Sequence, residues 1–109
     1  MEVKYCVVFI TAPVEEAPKI ARFLVEKKLA ACVNAVEEVR SLYWWEGKIE
    51  DDKEGLLIVK TRLDLFEKLK EEVKKVHPYC VPEIIALPIV AGNEEYLKWV
   101  DETVSSEGG

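Results

Sequence analysis

Apolar residues follow two rhythms along this chain. Val3–Thr11 (VKYCVVFIT) and Glu83–Val90 (EIIALPIV) are nearly unbroken apolar runs rich in β-branched residues, the pattern of strands buried on both faces. Between Val14 and Leu29 the apolar residues Ala17, Ile20, Ala21, Phe23 and Leu24 recur at spacings of three and four, which predicts a helix. Pro18 falls in its first turn, where backbone N–H groups have no intrahelical partner. Glu15 and Glu16 at one end and Lys27 and Lys28 at the other match the helix dipole. A second helix is predicted from the T-x-x-D spacing of Thr61 and Asp64. Its apolar face is Leu65/Phe66, Leu69, Val73 and Val76, and Pro78 stops it just after His77. Gly92-Asn93 leads into a last helix, Glu94–Val104, with Leu97, Val100 and Val104 on one side. Ser105–Gly109 reads as a flexible tail.

The middle of the chain is a long hairpin. Cys32–Trp45 reads as a strand ending in Leu42-Tyr43-Trp44-Trp45, and Glu46-Gly47 as a two-residue turn. A third strand runs to Lys60-Thr61, with a bulge or bend expected at Asp51-Asp52-Lys53. Pro88 cannot donate to a ladder, so it is expected at a sheet edge or a bulge, near the end of the fourth strand. The order is βαββαβ with a terminal helix, an α+β ferredoxin-like pattern in one domain, residues 1–104. Strands one, three and four are apolar on both faces, yet two helices cover only one face. The surplus points to other copies of the chain; the alternative is a monomer whose third helix folds across that face.

Composition narrows the function. A net charge of −6 argues against nucleic acid, where Lys and Arg must neutralise phosphates. No run approaches the roughly 18 apolar residues of a membrane span. The N-terminal apolar run leads into Pro13 and acidic residues rather than a small-residue cleavage site, so the expectation is a cytoplasmic protein. Three widely spaced cysteines make neither a disulfide framework nor a metal motif. The lack of Gln and the abundance of Glu and Lys follow the trend of thermostable proteins.

LYWWEGKIEDDKE, IVKTR, HPYCVPEII and YLKWV, in this order and spacing, closely resemble the CutA divalent-cation tolerance proteins across residues 3–104. The resemblance implies a homotrimer in which each long hairpin extends a neighbour's sheet, an architecture similar to the PII signalling proteins. It also implies a link to copper binding and heavy-metal tolerance, with no metal required for folding. Some bacterial members are credited with a copper site made of a first-strand Cys and two adjacent His before Pro-Tyr. Here those positions read Ile10 and Val76-His77.

Candidate ligands follow. His77 offers an imidazole suited to copper or zinc, or else the ring caps its helix terminus. Cys80, three residues on, adds a thiol. Cys6 and Cys32 read as buried hydrophobes, and Glu50, Asp51, Asp52 and Glu54 as a solvated charge run or a hard-cation site. Tyr43, Trp44 and Trp45 read as anchors between subunits. Tyr43, Trp45, Lys60, His77, Tyr79, Glu83 and Tyr96 are polar-tipped and sit at strand ends and loops, where a cleft between subunits would gather them. The expectation is a metal or small ligand held by Lys60, His77 and Glu83. There is no Gly-rich phosphate loop after the first strand, no cluster of four cysteines and no nucleophile–base pair. That leaves a non-enzymatic metal-binding trimer, a PII-like sensor of a small ligand, or a trimeric scaffold for partner proteins.

Overall fold

A computed structural model describes residues 2–105. The elements are β1 (Tyr5–Pro13), α1 (Ala17–Glu26), β2 (Cys32–Trp45), β3 (Lys48–Arg62), a 3₁₀ turn (Leu63–Leu65), α2 (Phe66–Val76), β4 (Ile84–Ile89) and α3 (Glu94–Ser105). This is the expected βαββαβ order plus a helix. The four strands form one antiparallel sheet in the order β2-β3-β1-β4. Pro88 therefore lies on an edge strand, where its missing N–H costs no ladder bond. Among the described residues no helix is long and apolar enough to cross a membrane.

Strand alternation decides the two faces of the sheet. Cys6, Val8, Ile10, Leu57 and Val59 are fully buried against Ile20, Leu24, Leu69 and Val73 of α1 and α2. The residues between them point the other way, and the row Asn34–Ile58–Phe9–Ile85 runs across all four strands on that second face. There α3 packs Val100 and Val104 against Ala31, Tyr5 and Leu65 at one end only. Arg62 holds it, reaching Asp64 of the 3₁₀ turn at 3.0 Å and Asp101 of α3 at 3.1 Å. Val36, Ile85 and Leu87 remain exposed beyond it.

Several local expectations are corrected. Helix α1 is shorter than Val14–Leu29: Pro13–Glu16 forms a turn, with the Glu16 N–H on the Pro13 carbonyl at 2.9 Å. Lys28 takes φ 57° and ends the helix, letting the Leu29 N–H return to the Leu24 carbonyl at 3.0 Å, as in a left-handed cap. The Thr61–Asp64 capping box does not form. Thr61 is still in β3, and its buried hydroxyl donates to the Leu29 carbonyl at 2.7 Å, while Asp64 binds Arg62. Val76 is exposed rather than on the buried face of α2.

The bulge lies on the opposite strand from the one expected. Val36 pairs with Leu56 and Val39 with Glu54, so Glu37 and Glu38 together face Gly55. A Cβ on Gly55 would stand 2.6 Å from the Ala17 Cβ, so only glycine lets β3 pass beneath the start of α1. At the hairpin tip Glu46 and Gly47 both have positive φ, 50° and 80°, the geometry of a type I′ turn. The tail expected at residues 105–109 begins at Ser105, the last residue of α3; the rest lies outside the described residues.

Candidate functional site

The site begins where α2 must stop. Pro78 disfavours a helical residue before it, and His77 leaves the helix with φ −83° and ψ 135°. Its ring then turns inward and is 8% exposed. Nε2–H donates to the Thr11 carbonyl of β1 at 2.8 Å, and Nδ1 accepts the Tyr79 N–H at 3.1 Å. A carbonyl can only accept and an amide N–H can only donate, so these partners fix one neutral tautomer. The imidazole pins the segment after α2 to the sheet and stacks on Tyr79, with ring centroids 4.9 Å apart.

That pinned segment and the outer half of the β2–β3 hairpin enclose a groove of about 750 Å³. Tyr43 and Trp45 of β2 form one wall, and Tyr79, Cys80 and Glu83 the other, with Thr11 and Glu54 between them. The Tyr79 hydroxyl donates to Glu54 at 2.9 Å. Burial first, and then this carboxylate, push the phenol well above its ordinary pKa. Thr11 donates to Glu83 at 3.2 Å. The Tyr43 hydroxyl donates to Asp52, and that bond is the main cause of a phenol pKa pushed up to about 12. Arg40 is gripped by both oxygens of Asp51, which holds the Asp51 carboxyl below its usual range.

The structure thus gathers Tyr43, Trp45, Tyr79, Cys80 and Glu83, with His77 as an anchor beneath Tyr79. It does not bring in Lys60 or Tyr96. Leu56 pairs with Thr11, and Lys60 lies four residues farther along β3, about 13 Å at strand rise. Its ammonium bonds Asn34. Tyr96 stacks on Trp99, centroids 5.5 Å apart, and its hydroxyl meets Cys32. Lys60, His77 and Glu83 therefore do not converge on one ligand.

Sequence reasoning passed over Thr11 and named Glu54 only as one member of an acidic run. Glu54 looks like part of a solvated acidic run, yet it shares strand parity with Leu56 and Ile58, and that alternation was the available signal. For a metal, the donors of one chain form an incomplete set. Both His77 nitrogens are engaged, Cys80 and Glu83 line the groove, and among the described residues no group of three or more His, Cys, Asp or Glu side chains is placed to hold an ion.

With the geometry in place, comparison with known proteins decides the family. The model for the CutA1 divalent ion tolerance protein matches residues 6–103. This chain belongs to the CutA1 family. The divalent-cation tolerance protein CutA of Thermus thermophilus is 57% identical over 97 residues, 88% of this chain and 94% of that protein. Human protein CutA is 50% identical over 99 residues, and this chain spans 55% of its length. The solved structure described as the periplasmic divalent cation tolerance protein CutA of Archaeoglobus fulgidus superposes with a TM-score of 0.89 at 51% identity, covering 93% of this chain and 99% of that one. The family is named for tolerance of divalent cations, and not for a reaction.

Proposed function

We propose that this CutA1 chain is a non-catalytic, cytoplasmic homotrimer that binds copper or a similar divalent cation and contributes to metal tolerance. The observation carrying the assembly is the exposed apolar surface on the hairpin and on the second sheet face. Trp44 is 71% exposed at the hairpin and Ile85 48% on the face, and both are the kind of group that protein interfaces bury. Three free cysteines suit a reducing compartment.

The metal reading rests on Cys80, an exposed thiol in the same groove as Glu83. Copper takes three or four donors, so one chain supplies part of the set and a neighbouring subunit or water completes it. His77 serves as the scaffold of the groove in this reading, because ligation would cost it the Tyr79 or Thr11 bond. Titration of the trimer with copper tests the idea, with solution mass measured in parallel. Saturable binding that Cys80→Ala removes supports it. Binding left intact by Cys80→Ala, or a monomeric mass at every concentration, sinks the corresponding half.

A PII-like reading, with a small ligand in the groove, is favoured by one further observation: aromatic side chains form much of its wall.

A further inference from the structure

One acid of the groove is withdrawn from water and met by a neutral donor. Glu54 is 6% exposed, and the donor that reaches it is the neutral Tyr79 hydroxyl. A carboxylate withdrawn from water is ordinarily balanced by a cation, because one neutral hydrogen bond does not replace its lost hydration. Glu83, the second acid of the groove, likewise receives a neutral donor, Thr11. Among the described residues lining the groove, Arg40 is the one cation, and Asp51 occupies it. Two acids therefore share a groove of about 750 Å³ with Tyr43, Trp45 and Tyr79.

The walls decide which cation fits. A small, hard metal ion seeks oxygen donors and water and gains nothing from indole or phenol faces. An organic ammonium ion uses both kinds of surface. Its charge is attracted to carboxylates and to aromatic faces, and its alkyl part is removed from water against Leu42, Trp45 and Val81.

We propose that the groove beside the outer half of the β2–β3 hairpin binds an organic ammonium ion, with Glu54 and Glu83 supplying the countercharge and Tyr43 and Trp45 the wall for its alkyl body. The inference rests on the groove assigned above to a metal and shares Glu83 with that reading, but the thiol of Cys80 carries the copper reading alone.

The test is calorimetric titration of the whole protein with n-pentylammonium in the presence of EDTA, and with 1-pentanol as a neutral match in size. The expected result is saturable binding of the ammonium, at least tenfold tighter than the alcohol. It weakens tenfold or more in Glu54→Gln and in Glu83→Gln. Glu54→Gln keeps an acceptor for Tyr79, and its thermal unfolding curve reports whether it folds; if it does not, Glu83→Gln at the exposed position carries the test. Equal binding of amine and alcohol, or an ammonium affinity that neither glutamine variant lowers, overturns the proposal. Failure of both probes to bind, as when a second copy fills the groove, overturns it too. Copper binding that fails while ammonium binding persists would remove the metal reading alone.

Discussion

The two faces of the one sheet obey opposite rules. On the face under α1 and α2, Val8, Ile10, Leu57 and Val59 have no exposure at all, and each packs against helix residues of the same chain. On the other face, α3 covers one end, while Ile85 and Leu87 stay in water. The residue types are the same, branched aliphatics. The difference is what the chain places opposite them: one face is completed internally, and the other awaits a neighbour. Apolarity in the sequence therefore reports a need for cover without saying who provides it.

The sharpest way to test this contrast is to truncate one residue on each side. Leu57→Ala should destabilise the fold by about 2–5 kcal/mol, the usual cost of emptying a packed site, read from the urea midpoint. Ile85→Ala, half exposed on the second face, should leave the unfolding of the isolated chain almost unchanged and lower the solution mass at a given concentration. If the two variants behaved alike, the division between an internal core and an assembly surface would fail.

A smaller effect is expected at the join between hairpin and core. Gly55→Ala sets a methyl group 2.6 Å from the Ala17 Cβ, so overpacking should cost about 1–3 kcal/mol. A midpoint equal to the parent's would mean that α1 moves freely away from β3. Thr61→Val comes next: it removes the donor to the Leu29 carbonyl, and the orphaned group should cost about 1–2 kcal/mol in thermal unfolding.

The smallest effect is alkaline. The Tyr43 phenol has its pKa raised to about 12 by the bond to Asp52, against about 10 in the unfolded chain. A raised value means that the folded state holds its proton longer. This stabilisation is complete below pH 10 and is lost as pH rises toward 12. Absorbance at 295 nm should show a late-titrating tyrosine that moves to an ordinary value in Asp52→Asn. A Tyr43 that already titrates near 10 would show that the hairpin bond is not formed in solution.

The candidate site was legible in part. Tyr43, Trp45, Tyr79, Cys80 and Glu83 could be picked out as polar-tipped residues at strand ends and loops, and the structure collects them. Lys60 shared that description, but nothing in a linear string states that it lies four residues from the position facing Thr11. Glu54 was disguised by its neighbours: Asp51 pairs with Arg40 and Asp52 with Tyr43 out on the hairpin, while Glu54 is buried in the groove and accepts from Tyr79.

What this chain determined by itself was the element order and the faces, because helix and strand periods are written in nearest neighbours. Pro78 ends α2, Glu46-Gly47 turns the hairpin, and alternation separates Val8 from Phe9; each is local chemistry. The tertiary structure decided the rest. It put the bulge at Glu37-Glu38, opposite Gly55, where β3 runs against Ala17. It drew Thr61 away from its helix cap to the Leu29 carbonyl. It turned His77 from an available ligand into an anchor, since the Thr11 carbonyl and the Tyr79 N–H meet its two nitrogens from separate parts of the chain. Those outcomes depend on groups up to 66 residues apart in sequence, and a hydrogen bond is selected by distance in space.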